Sequence, residues 1–230
     1  MTVHTSIDGD VAVVTLDDGK MNAVGHELLV ELHAALDTAL VEARAVCLQG
    51  NDRALSAGFD LAVMTGDDPD AVRGLVQAGG ELLMRLFVHP QPTVVAVTGH
   101  ALAAGALLVL SCDTRIAAPG SSKIGLNEVA IGLALPEYGY VLAQQRLAPF
   151  ALTRATVQGE VFDPEGALAA GYVDRLDPAC ATAAVEEARR LAALPRGAYA
   201  RTKQAMRQPV ADRVLANLAD DLRGLVVVKD

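Results

Sequence analysis

Thr93–Asp113, reading TVVAVTGHALAAGALLVLSCD, restricts the possible folds of this chain more than any other segment. A β-branched run is followed by a break at Thr98-Gly99-His100. Small residues Ala101, Ala103, Ala104 and Gly105 come next, then an apolar run without Gly that ends at Cys112-Asp113. That order predicts a buried strand, a tight turn and a helix beginning. A helix that starts in Ala and Gly leaves its first N–H groups open to a ligand, because no side chain blocks the approach. Between His100 and Asp113 no side chain is able to move a proton. The segment therefore reads as half of an anion-stabilising site whose acid or base comes from elsewhere.

From Thr93 to Cys112 only His100 is ionisable, and such a run is long enough to be considered as a membrane span. Its flanks argue otherwise: Pro90, Pro92 and Asp113 border it, with no Lys/Arg cluster and no aromatic belt. The turn also divides it into two pieces of ordinary soluble length, so a strand and a helix in a globular core are expected.

The 230 residues suit one domain, or one domain with a helical appendage. Hydrophobic residues make up 52% of the chain and aromatics 3%, with no Trp, so the core must be aliphatic. The mean hydropathy of +0.31 agrees with a large core. A formal charge of −9 without stacking aromatics excludes the usual nucleic-acid-binding surface, but leaves room for an anionic small molecule held by local groups. Cys47, Cys112 and Cys180 are isolated and odd in number, which suggests neither a disulfide framework nor a zinc site. MTVHTSIDGD shows no basic or apolar leader pattern, and a cytoplasmic location is the expectation.

Along the chain, Val3–Ile7 and Val11–Leu16 flank Asp8-Gly9-Asp10 as a hairpin. Leu28, Leu32, Ala35, Leu36 and Ala39 recur at helical spacing between Gly25 and Leu40. Ala45–Gln49 reads as a buried strand, and ALSAGFDLAVM passes again from small residues to a helix. Gly66–Asp70 is a polar break, Leu75–Val88 a helix, Arg115–Ala118 a strand and Lys123–Gly125 a short extended piece. Helical pattern resumes at Gly139, with starts at Asp163-Pro164 and helices over Ala181–Ala193 and Val210–Leu225. Strands alternating with helices predict an α/β core. The expected division is a core over 1–138 and a helical region over 139–230 packed with it.

Two places pass from a strand through small residues into a helix: Ala54–Leu61 and Gly99–Gly105. If parallel strands bring them together, two backbone N–H groups converge on one oxygen and stabilise an oxyanion, an effect worth ~3–4 kcal/mol per donor. Ala and Gly equally permit plain helix–strand packing. No Gly-rich phosphate fingerprint, HExxH or GxSxG motif is present.

LSAGFDL (Leu55–Leu61) and GHALAAGALLVLSCD (Gly99–Asp113) resemble the two oxyanion-hole segments of the crotonase superfamily, the enoyl-CoA hydratases and isomerases. Asp18–Ala23 resembles that family's CoA-contacting Asn-Ala segment, without its usual Pro. Ile124–Glu128, followed by Gly132 and Pro136, resembles the segment bearing a catalytic Glu, and Phe162–Asp174 resembles its C-terminal motif. The resemblance implies an α/β spiral of ββα units (the ClpP-like fold) closed by C-terminal helices, assembled as a homotrimer or hexamer. It also implies an acyl-CoA substrate, with no metal and no redox cofactor.

Carried over residue by residue, the oxyanion donors are Ala57 and Ala104, and Glu128 is the acid/base. Met21, Ala23, Leu55, Phe59 and Leu61 become candidate substrate contacts or plain core. Asp60 matches the acidic residue after the first loop and reads as a helix-start group. His100 is either a substrate contact or a satisfied core histidine. Lys20 and Arg53 are candidate phosphate partners or solvated charges, and Glu137 is a surface group or a second acid. The departure from the pattern is Leu107, where the two-acid hydratases carry a Glu. Hydration divides its proton transfers between two carboxylates, whereas moving a double bond requires one. A Glu in an apolar pocket also has a raised pKa, which suits such a shuttle. The pattern therefore favours enoyl-CoA isomerisation. Acyl-CoA hydrolysis, decarboxylation, or acyl-CoA binding without catalysis are the alternatives.

Overall fold

The computed structural model describes residues 2–224. Strands β1 (Val3–Asp8) and β2 (Val11–Leu16) form an antiparallel hairpin whose turn is made by Gly9 at φ +61°. Helix α1 (His26–Glu42) follows, burying Leu28, Leu29, Leu32, Leu36 and Ala39 on one face. The chain then repeats one manoeuvre. β3 (Ala45–Gln49) leads to β4 (Ala54–Ser56), short α2 (Leu61–Met64) and long α3 (Pro69–Phe87). β5 (Thr93–Val97) leads to β6 (His100–Leu102) and α4 (Ala104–Ser111). β7 (Thr114–Ala117) leads to β8 (Ile124–Gly125), a 3-10 turn at Val129–Ile131 and α5 (Glu137–Arg146). Helices α6 (Leu152–Thr156) and α7 (Pro164–Ala170), strand β9 (Arg175–Leu176), and helices α8 (Cys180–Ala192) and α9 (Arg196–Asp221) complete it.

The first strand of each repeat joins a six-stranded sheet, order β1-β2-β3-β5-β7-β9, and the second joins a three-stranded sheet, β4-β6-β8. All pairs after the hairpin are parallel. This is the α/β spiral of ββα units that the sequence implies. One aliphatic core lies between the larger sheet and helices α1, α3 and α4. The sheet's other face, with Val11, Cys47, Val94, Ala96 and Ile116, is covered by α8. Strands buried on both faces explain the unbroken apolar runs Ala45–Leu48 of β3 and Val94–Val97 of β5. Among the described residues no helix is long and apolar enough to cross a membrane.

Four local expectations change. Helix α3 begins at Pro69, six residues before Leu75, because Asp68 Oδ1 caps it by accepting from the Asp70 and Ala71 N–H groups. Much of the polar break is thus a helix start. Strand β6 intervenes between the Gly99 turn and α4, where a turn alone is expected. α5 starts at Glu137, ahead of Gly139. α9 runs continuously through Pro209 from Arg196, although Pro usually starts or ends a helix; the expected terminus Leu225 lies outside the described residues.

The reason α9 keeps its path is electrostatic. Asp113 sits between α4 and β7, and its Oδ2 accepts from Lys203 Nζ (2.7 Å), Tyr199 Oη (2.7 Å) and the Thr93 N–H (2.8 Å). Its Oδ1 accepts from Arg207 (2.6 Å), whose guanidinium also lies over the Phe87 ring at 4.7 Å. Burial pushes the Asp113 carboxyl upward, but Lys203 and Arg207 outweigh it and hold the pKa below 3.8. Removing one partner of a buried pair strands the other charges. Asp113→Asn is expected to lower stability by about 3–5 kcal/mol, read by urea denaturation. The carboxylate's folded pKa is depressed, so the difference from wild type is full above the unfolded value and shrinks as pH falls through the folded one. A loss independent of pH down to acid conditions contradicts this account.

Candidate active site

Parallel pairing of β4 with β6, with Ala54 opposite His100 and Ser56 opposite Ala101, sets the loops that follow these strands side by side. Glycine makes the approach possible. A methyl on Gly105 would fall 2.1 Å from the Ser56 carbonyl oxygen, and one on Gly99 2.3 Å from the Arg53 carbonyl. A methyl on Gly58, itself at φ +112°, would lie 3.1 Å from Ala103 Cβ and 3.9 Å from the Ala104 nitrogen. The two loops therefore meet main chain to main chain. Asn22, fully buried at φ +53°, ties a third segment to them: its Nδ2 donates to the Leu16 carbonyl (2.9 Å) and the Ala54 carbonyl (2.8 Å).

Ala103 precedes α4 at φ +49°, ψ −120°, a conformation that disfavours any residue with a Cβ. Its own N–H donates to the Gly125 carbonyl (3.0 Å). Ala104 then occupies the first helical position, where an N–H has no intrahelical acceptor, and no side chain caps it. On the other loop the expected donor changes. The Ala57 N–H is not open: it donates to the Met21 carbonyl at 2.9 Å. The Gly58 N–H donates to Ser56 Oγ (3.1 Å) and the Asp60 N–H to the Val24 carbonyl (3.1 Å). Phe59 forms a parallel bridge with Val24 through its neighbours' groups, which turns its own N–H to the opposite side. Of the four residues Ala57–Asp60, only Phe59 retains an uncommitted N–H among the described residues. Sequence spacing located the loop, but which N–H stays free depends on pairing with Val24 and Met21, far away in sequence.

Beside this convergence lies an apolar cleft of about 620 Å³, open at its mouth. Ala57, Gly58, Phe59, Leu61, Ala103 and Leu107 line it, as do Val76 of α3 and Tyr138 of α5. Glu128, 8% exposed, is the one carboxylate in the lining, and its Oε2 is buried without a hydrogen-bond partner. The carboxyl stands at the start of the 3-10 turn, where the Glu128 carbonyl accepts from Ile131 (3.0 Å) and Leu133 (2.9 Å) and holds the backbone rigidly. Desolvation pushes its pKa up to about 7 against a smaller opposing backbone hydrogen bond. Leu107 shares the cleft, so the position of the missing acid is indeed apolar at the site. Tyr138, fully buried, donates to the Val76 carbonyl (3.2 Å) and makes the floor. Asn127 Oδ1 is buried without a partner beside Glu128. Neither Tyr138 nor Asn127 stood out in the sequence, although both adjoin an acidic residue that did.

The other candidates separate. Met21, Arg53 and His100 line a second, polar groove with Thr98, Ser121 and Ser122. His100 Nδ1 accepts from the Lys123 N–H (3.0 Å), and Arg53 makes no ion pair among the described residues. Leu61 is 67% exposed at the cleft's rim, and Ala23 and Lys20 are exposed outside it. Leu55 is fully buried core and touches neither cleft, since β4 is buried along its whole length. Asp60 caps α2 by accepting from the Ala62 N–H (2.9 Å) and does not line the cleft. Glu137 is buried rather than superficial, 3.5 Å from Arg213, and also lies outside the lining. No group of three or more metal-ligating side chains occurs among the described residues.

Comparison with known proteins agrees with this geometry. A family model described as Enoyl-CoA hydratase/isomerase matches residues 6–226. The human mitochondrial enoyl-CoA delta isomerase 1 is 32% identical over 231 residues, spanning 97% of this chain and 76% of that protein. A crystal structure of an enoyl-CoA hydratase/isomerase family protein from Pseudomonas syringae superposes with TM-score 0.94 at 38% identity, covering 98% of both chains. An enoyl-CoA hydratase from Mycobacterium marinum superposes with TM-score 0.91 at 33% identity, covering 98% of this chain and all of that one.

The lone carboxyl has a thermodynamic signature. A pKa raised from 4.5 to about 7 means that burial of Glu128 is tolerated in acid, and that this stability is lost as pH rises through 7. Glu128→Gln, uncharged throughout, is expected to be more stable than wild type at pH 8 by roughly 3 kcal/mol. The two should converge near pH 4, by denaturant titration across pH. Equal stability at both pH values overturns the assignment of a desolvated carboxyl.

Proposed function

The chain belongs to the enoyl-CoA hydratase/isomerase family, and on that premise we propose that it moves the double bond of an enoyl-CoA thioester. The observation that carries this reading is the cleft with one unpartnered carboxylate, Glu128, and Leu107 where a second acid would stand. In the proposed reaction the thioester oxygen of a 3-enoyl-CoA accepts from the Phe59 and Ala104 N–H groups. Glu128 removes a proton from the carbon next to the carbonyl, and the electron pair moves into that oxygen. The two amides stabilise the resulting charge without any motion at the moment of transfer. Glu128, now a carboxylic acid, returns the proton to the far carbon of the old double bond, and the new double bond forms between its near carbon and the carbon that lost the proton. The product is the 2-enoyl-CoA, with the same atoms.

The apolar walls support this assignment in two ways. They raise the Glu128 pKa toward neutrality, where a carboxyl both takes and gives a proton readily. They also accommodate an acyl chain. The polar groove with Asp52, Arg53 and His100 adjoins the cleft through the Met21–Ala57 hydrogen bond, and we assign its Arg53 guanidinium and the Thr98, Ser121 and Ser122 hydroxyls to the polar part of CoA.

Wild type and Glu128→Gln incubated with 3-enoyl- and 2-enoyl-CoA, with products resolved by chromatography and mass spectrometry, test the reading. Wild type should interconvert the two without a change of mass, and the variant should lose ~10²–10⁴-fold in rate. The wild-type kcat/KM should rise with pH to a plateau, with its midpoint near the Glu128 value of about 7. Addition of water at a comparable rate, release of free CoA, or a fully active Gln variant rejects it.

A further inference from the structure

The cleft has two aromatic walls, and both rest on one helix. Gly79 and Gly80 stand together inside α3, although glycine is the poorest ordinary residue for a helix interior. A methyl on Gly80 would fall 2.7 Å from the Tyr138 ring, and one on Gly79 would fall 2.5 Å from Cε1 and Cζ of Phe59. The glycine pair thus makes the seats for both rings. The rings are held differently. Tyr138 is fully buried and tethered through its hydroxyl to the Val76 carbonyl. Phe59 is only partly buried and has no polar atom to tether it.

Behind the Phe59 ring lies closely packed aliphatic core with only small gaps. Phe59 also lines a narrow, almost wholly apolar hollow with Leu29, Leu32, Leu82, Leu83 and Leu108. Leu32, Leu82 and Leu108 continue into a second such hollow against the larger sheet. Ala104 lines the first hollow as well, so this space begins where the thioester is proposed to sit. Phe59 is the one side chain that borders both the open cleft and the inner hollow.

We propose that the Phe59 ring, seated on Gly79, is the stop that sets the length of acyl chain this protein accepts. The inference rests on the acyl-thioester reading above and adds the part of the substrate that the chemistry leaves open. With the ring in place the chain ends against it, and short acyl groups fit. With the ring removed, the volume it vacates joins the cleft, walled by leucines, and longer chains gain burial. A methyl at Gly79 pushes the ring the other way, into the cleft.

The test compares wild type, Phe59→Ala, Phe59→Leu, Gly79→Ala and the double variant Gly79→Ala/Phe59→Ala. Each is titrated calorimetrically with hexanoyl-CoA and dodecanoyl-CoA, and then assayed with 3-hexenoyl- and 3-dodecenoyl-CoA. The dodecanoyl-to-hexanoyl affinity ratio should rise on the order of tenfold in Phe59→Ala, as expected for added methylene contacts in an apolar pocket. It should rise less in Phe59→Leu and fall in Gly79→Ala. The glycine change should lose its effect once Phe59 is Ala, because it acts only through the ring. A ratio that is the same in all five proteins overturns the stop. So does a Gly79 effect that persists without the ring. Chain-length shifts in binding without turnover of either enoyl substrate leave the stop standing and reject the isomerase reading. A wild type that binds neither thioester rejects both.

Discussion

Contact of main chain with main chain governs this molecule's geometry. Gly105 against Ser56 and Gly99 against Arg53 leave no room for a methyl between segments that come from successive repeats, and Gly50 against Ala54 closes the turn within one of them. At these contacts the spacing of the two loops is set by backbone dimensions, and the Asn22 and Asn51 side chains pin the flanking main chain. The two sheets, the α4 start and the loop after β4 are locked in one arrangement by this exclusion. The Phe59 and Ala104 amides inherit their positions from it.

Against that rigid frame two desolvated acids, Asp113 and Glu128, are treated in opposite ways. Asp113 is surrounded by Lys203, Arg207 and Tyr199 and by the Thr93 N–H, and it stays ionised in the core. Glu128 is given no cation, and its Oε2 has no donor. Both are desolvated to a similar degree, so the difference lies wholly in partners. One carboxylate anchors α9 and the other is kept near neutrality beside an apolar cleft. The fold tolerates the second because the first and the aliphatic core supply the stability.

Most of the fold was legible because it is written in local patterns. Alternation and β-branching marked β1, β2, β3 and β5. Apolar spacing marked α1, and Asp163-Pro164 marked α7. What escaped was set by distant partners. The course of α9 through Pro209 depends on the pull of Asp113 on Lys203 and Arg207. Within the site, Glu128 and Leu107 were readable from their place after recognisable loops, and both line the cleft. Ala57 was the donor that the family resemblance implied, yet its N–H is claimed by Met21, which only the folded pairing reveals. Leu55 sits in β4, which is buried along its whole length. Tyr138, Val76 and Gly79 carried no signal of their own, since an aromatic floor and its glycine seat are assembled from separate helices.

A carboxyl without polar neighbours also isolates what it carries. Exchange of an acid's proton with bulk water needs a chain of hydrogen bonds, and Glu128 Oε2 begins none within the protein. On the proposed reaction, an apolar chain that fills the cleft also narrows the access of water to that carboxyl. On that reading, hydrogen taken from one carbon of the substrate is returned to another in preference to exchange with the solvent. In that sense the emptiness around Glu128 is a form of custody, conferred by groups that are absent.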